Sequence, residues 1–144
     1  DYFRGHCVYH KTLKKADLPA ADLYYLEIRG ANASADVYVG GEKLAHHDGG
    51  YSTWRVDITE TLERENLFAV VVNNEANEIV YPQMADFTFY GGLYRDVNII
   101  CVNESHFDLD YFGAYMLDGV AVDSAGDYKP VEDMPVEEGV EATD

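Results

Sequence analysis

The apolar residues of this chain come in short runs, and glycine or asparagine pairs cut between them. Residues 7–13, 23–29, 35–39, 67–73 and 97–102 are the clearest runs, each rich in β-branched or aromatic side chains. Runs this short do not give a helix room to form a stripe, whereas they match β-strands. The breaks fall at Gly30, Gly40-Gly41, Gly49-Gly50, Asn73-Asn74 and Gly91-Gly92, close to the spacing of a sandwich or barrel. Gly40-Gly41 reads as a tight hairpin turn, because paired glycines tolerate positive φ. In 67–72 neither parity is polar, which predicts a strand in the middle of a sheet and covered on both faces. In 35–39 Asp36 and Tyr38 share one face. Thr59-Glu60-Thr61-Leu62 predicts a single helical turn after Asp57. The fold class is all-β, expected as two packed antiparallel sheets.

Twelve tyrosines suit pleated surfaces better than helices, and 144 residues are enough to bury one core. The character of the chain changes near residue 113. Residues 118–144 carry nine acids and one lysine, so −8 of the net charge of −17 lies there. Residues 1–112 are expected to form the folded domain, and 113–144 an acidic, mobile tail or linker; a strand around 120–122 is one exception to look for. A charge of −17 argues against nucleic acid, which needs clustered lysine and arginine. No run approaches the roughly 20 apolar residues of a membrane span. The first residues, Asp1-Tyr2-Phe3-Arg4-Gly5, have no signal-peptide layout and no initiator methionine, so the chain reads as a piece of something longer. Cys7 and Cys101 lie in apolar runs and are expected to be buried thiols.

Reactive constellations are sparse. His6 and His10 in one strand would lie about 13 Å apart (roughly 3.3 Å per residue), too far to share a metal. His46 and His47 should point to opposite faces and not converge. Ser52 has no readable base and no strained elbow around it. Paired carboxylates could cleave a glycoside, but neither Asp57 nor Asp96 comes with a readable apolar pocket. The densest segment is Asp86-Phe87-Thr88-Phe89-Tyr90-Gly91-Gly92-Leu93-Tyr94-Arg95-Asp96-Val97. Aromatic faces with fixed carboxylates are what sugar sites use. The plainer alternative makes the rings core and Arg95–Asp96 a strand-end ion pair.

This segment resembles the signature that closes the N-terminal domain of family 2 glycoside hydrolases, D-F-T-x-Y-G-G-I-Y-R-D-V, with Leu93 where isoleucine is usual. Residues 30–41 are similar to that family's G-V-x-S-x-A-x-V-Y-L-N-G stretch, and 47–54 to its H-x-G-G-Y-T-x-F. Asp57-Ile58-Thr59 and Asn66-Leu67-Phe68-Ala69-Val70 match D-I-T and N-x-L-A-V. The resemblance runs in order across residues 2–112. It implies a jelly-roll β-sandwich of the galactose-binding-domain-like kind, placed ahead of an immunoglobulin-like domain and a catalytic (β/α)₈ barrel. It further implies that Asn32 and Asp86 bind substrate, as the matching residues do in the family's β-galactosidases. In some members the residue matching Asp86 also helps hold a sodium ion (Na+).

On that resemblance the chain is a non-catalytic, sugar-binding front domain of a soluble, bacterial, β-galactosidase-like enzyme. Its partners would be a β-galactoside or related sugar and the parent enzyme's other domains. The two catalytic glutamates belong to the barrel, so hydrolysis by this chain alone is not expected. A β-glucuronidase or β-mannosidase front domain, an independent carbohydrate-binding module and a packing scaffold are the alternatives. Gly40 departs from the usual asparagine, which changes only the turn type. The family's leading L-P-H-D/T-W segment has no counterpart here, and the acidic tail is unlike the usual linker.

Overall fold

The structure, a computed structural model, describes residues 3–81, 86, 88–106, 109, 120–122 and 128–130. Phe87 and most of the acidic tail lie outside the described residues. The chain divides into two compact units, Asp1–Val102 and Asn103–Asp144.

The first unit is built from strands. In chain order these are β1 (His6–Thr12), β2 (Leu23–Ile28), β3 (Ala31–Asn32), β4 (Ser34–Val39), β5 (Glu42–Asp48), β6 (Trp54–Asp57), β7 (Leu67–Asn73), β8 (Gly92–Leu93) and β9 (Val97–Val102). A 3₁₀ turn at Lys15–Asp17 and one helical turn, α1 (Thr59–Leu62), interrupt them. Asp57 accepts the backbone N–H of Thr59 at 2.9 Å and so tethers the start of α1. Among the described residues no helix is long and apolar enough to cross a membrane.

Two antiparallel sheets carry the unit. The larger has the order β1-β7-β4-β5 and the smaller β6-β2-β9, while β3 and β8 form a two-stranded ribbon. Alternation decides which side faces the core. In β4, Ala35, Val37 and Val39 are buried and Ser34, Asp36 and Tyr38 are only half covered. In β7 the buried set is Phe68, Val70 and Val72. These join Tyr24, Leu26 and Ile28 of β2, Val56 of β6, and Ile58 and Leu62 in one hydrophobic cluster. The two sheets therefore share a core, as in a β-sandwich.

Several expectations are met. The single turn of α1, the shared face of Asp36 and Tyr38, and the central position of β7 between β1 and β4 are all present. Gly40 and Gly41 take φ of 57° and 92° between β4 and β5, the left-handed pair that a two-residue hairpin needs. One expectation fails. The second face of β7 is only half covered and Leu67 is 49% exposed, because among the described residues of the unit no further sheet or helix packs outside this one. The thiols are also corrected: Cys7 and Cys101 are half-buried rather than buried. Cys7 lies on β1, an edge strand, and Cys101 on β9, the edge of the other sheet. In the second unit β10 (Val120–Val122) pairs antiparallel with β11 (Tyr128–Pro130), so the strand sought at 120–122 exists.

Candidate functional site

Asn32 is where sequence and fold meet. It ends the short strand β3, whose register partner across the ribbon is Gly92 of β8. That pairing brings residues 31–32 against the aromatic segment 88–95, some sixty positions later. The Asn32 side chain is 8% exposed, and its Nδ2 donates to the carbonyl of Tyr90 at 2.9 Å. A side chain at Gly50 would collide with the Asn32 carboxamide, so Gly50 is what lets the amide sit there. The peptide between Asn32 and Ala33 is cis.

Around Asn32 the segment is pinned at several points. Tyr94 donates its hydroxyl to the carbonyl of Gly50. Arg95 Nη1 donates to the carbonyls of Tyr51 at 3.0 Å and Arg29 at 3.5 Å. Asp96 instead faces Arg29, with 3.9 Å between Nη1 and Oδ2. The anticipated Arg95–Asp96 pair is therefore replaced by two separate contacts. Adjacent strand-end residues diverge, so each finds its own partner across the loop.

A cleft of about 210 Å³ opens beside Asn32, lined by Arg4, Asn74, Glu75, Asn77, Thr88 and Phe89 among others. This is smaller than the roughly 300–1,000 Å³ typical of a complete ligand pocket. Part of its polar lining is already engaged. Asn74 accepts the Gly5 N–H at 2.8 Å and donates to Phe3 O at 2.9 Å, which ties down the start of the chain. Asn77 accepts the Ile79 N–H at 2.9 Å and donates to Asp48 at 3.3 Å. Asn32 keeps one amide hydrogen and its carbonyl oxygen beyond the Tyr90 contact.

The two residues singled out for sugar binding stand differently. Asn32 is buried on the cleft wall. Asp86 is exposed, and the described signature residues that line this cleft are Thr88 and Phe89. Among the described residues no group of three His, Cys, Asp or Glu could hold a metal ion. A hard cation takes several oxygen donors, of which Asp86 could supply one.

Two features escaped the sequence reading. Ser52 does have a base within reach: His47 Nε2 lies 2.9 Å from its Oγ, because the Gly49-Gly50 loop folds the two together. His47 also stacks on Trp54, with centroids 4.9 Å apart and planes 15° from parallel, and burial pushes its pKa below the ordinary value. His46, on the opposite face, sits between Asp36 and Asp48. The hydrogen bonds to Asp36 and then Asp48 hold its pKa above the ordinary value. The imidazoles diverge as strand alternation requires. The other feature is Glu27, buried among Arg29, Arg55 and Asn98. Only tertiary register could reveal it.

Residues 3–98 match the family model described as "Glycosyl hydrolase 2 galactose-binding domain-like". The chain belongs to this family. It is 33% identical over 125 residues to a β-glucuronidase of Bacteroides fragilis, covering 83% of this chain and 18% of that one. It is equally 33% identical over 109 residues to a β-galactosidase of Thermoanaerobacter pseudethanolicus, covering 72% and 15%. Among solved structures, an FMN-binding β-glucuronidase from Facaelibacterium prausnitzii L2-6 superposes with a TM-score of 0.68 at 42% identity. That match covers 84% of this chain and 20% of that one. The chain thus spans less than a fifth of the length of the curated relatives it matches. These relatives are larger glycosidases, and this family member corresponds to their N-terminal, galactose-binding-like domain, with the β-sandwich that the resemblance implied.

Proposed function

We propose that this family member is a non-catalytic wall of a sugar pocket, completed elsewhere in a larger retaining β-glycosidase. The observation that carries the reading is Asn32: a buried carboxamide on the wall of a cleft too small to enclose a ligand, joined to the signature segment through Tyr90. Asn32 would donate to and accept from sugar hydroxyls, and Asp86 would accept from them as a strong, charged acceptor. In the parent polypeptide two glutamates of a catalytic barrel would serve as acid/base and nucleophile, about 5–5.5 Å apart. This domain would hold the non-reducing sugar against them, which lowers the barrier by positioning.

Two substrate classes follow from the relatives. A β-galactoside fits the roles assigned to Asn32 and Asp86. A β-glucuronide is favoured by the similarity to the B. fragilis β-glucuronidase and by the 42% identity to the F. prausnitzii structure. The test is hydrolysis of aryl β-galactoside and aryl β-glucuronide by the full-length polypeptide and by the 144-residue chain. The expected result is turnover of one substrate with net retention by the former and none by the latter. Turnover by the isolated chain would overturn the reading.

A further inference from the structure

The segment 90–95 presents more than a tether for Asn32. Tyr90 and Tyr94 lie with ring centroids 6.1 Å apart and planes 22° from parallel. The Arg95 guanidinium carbon lies 5.1 Å from the Tyr94 centroid. Tyr51 meets Tyr94 edge-on at 6.4 Å. Tyr90 is 63% exposed and Tyr51 38% exposed, so Arg95, Tyr94 and Tyr90 make a layered stack whose last ring faces solvent. Tyr90, with the uncovered part of Tyr51 beside it, leaves an aromatic patch open to solvent, the kind of surface that marks an interaction site.

We propose that this stack is a carbohydrate-contact surface, with Tyr90 receiving the C–H face of a β-pyranoside and Tyr51 flanking it. The inference rests on the sugar-pocket reading and extends it to residues that reading does not use. Three observations favour a sugar over an apolar peptide. Each ring carries a hydroxyl, so the patch is amphipathic, as a pyranose is. The patch is also preorganised: Tyr94 is fixed to Gly50 O, Arg95 to the carbonyls of Tyr51 and Arg29, and Tyr90 O to Asn32. Binding there would cost little ordering entropy. Finally, it adjoins the cleft in the chain: Phe89, the residue before Tyr90, lines the cleft, and Asn32, also on its wall, holds the Tyr90 carbonyl.

Truncating Tyr90 is a clean test, because Asn32 bonds to its backbone carbonyl and the ring itself is exposed. Methyl β-D-galactopyranoside and methyl β-D-glucopyranosiduronate are titrated into the 144-residue chain up to high millimolar concentration, followed by amide and side-chain NMR. For at least one of them, saturable shifts are expected at Tyr90, Tyr94 and Tyr51. Tyr90→Ala should weaken binding about fivefold or more, and Tyr90→Phe should retain it. Shifts confined to Asn32 and Asp86, unchanged in Tyr90→Ala, would overturn the stack proposal and leave the pocket reading standing. Shifts at the stack without any at Asn32 or Asp86 would support the proposal and leave those two residues to act only in the completed pocket. No shift with either sugar overturns the stack as a site.

Discussion

Glu27 lies on the outward-facing parity of β2, yet it is 3% exposed. Its register partners are Arg55 on β6 and Asn98 on β9, and Arg29 reaches it from two residues along the chain. Burial pushes the Glu27 carboxyl upward. The hydrogen bonds from Arg29, Asn98 and Arg55, with the Arg55 charge, outweigh that and leave it below its ordinary value. Removing the carboxylate takes its hydrogen bonds from Arg29, Asn98 and Arg55 and a charge partner from Arg55, whose side chain is only 12% exposed. Glu27→Ala should therefore cost about 3 kcal/mol in urea or thermal unfolding. Because the folded pKa is depressed, this contribution is present above the unfolded value near 4.3 and is lost as pH falls through the folded one. The two neighbouring histidines carry opposite signs. His46, held up by Asp36 and Asp48, stabilises the fold when protonated, an effect present below about pH 6.5 and lost as pH rises through its folded pKa. His47, pushed down by burial, stabilises when neutral, an effect present above about pH 6.5 and lost as pH falls through its folded pKa. An NMR titration should find His46 titrating at higher pH than His47. Nothing in the sequence announces the Glu27 cluster or the His47–Ser52 contact. Residues 27, 55 and 98 meet only through strand register, and residues 47 and 52 only through a folded loop.

The strands that sequence reveals and those it hides differ in charge and in length. β2, β4 and β7 lie inside sheets and supply most of the core, so their apolar content was plain. β5 reads Glu42-Lys43-Leu44-Ala45-His46-His47-Asp48 and is the outer strand of its sheet. Charge suits an open edge and erases the hydrophobic signal. Its pairing with β4 also shifts register between Val37 and Tyr38, passing over Leu44 as a bulge does. β3 and β8 are two residues each, too short for any period to register. What did predict the β4–β5 hairpin was its turn. Gly41 has φ 92° and open space around it, so a side chain there meets only backbone strain. Gly41→Val should cost about 1–2 kcal/mol in chemical denaturation. Gly40, at φ 57°, suits asparagine, and the Glu65 side chain that a Cβ there would touch is exposed and can swing aside, so Gly40→Asn should stay within about 0.5 kcal/mol of the parent.

At the scale of the molecule, the chain is a family 2 glycoside hydrolase front domain with an open, partial cleft. Its fold was legible because strand runs and turn glycines recur along the chain, and its family because five separate segments matched in order. The site was legible only in part. Asn32 was pointed to by resemblance, and its burial and its hold on Tyr90 emerge only from the pairing of β3 with β8. Asp86 offers the cleaner handle on function, since it is exposed and its loss should leave stability intact. The decisive measurement is kcat/KM of the full-length polypeptide on its aryl β-glycoside, with and without Asp86→Ala. Losing one charged hydrogen bond to the sugar predicts a drop of roughly 10- to 100-fold at unchanged Tm. An unchanged kcat/KM in the variant would contradict the account, because this domain would then stand beside the pocket without touching substrate through Asp86.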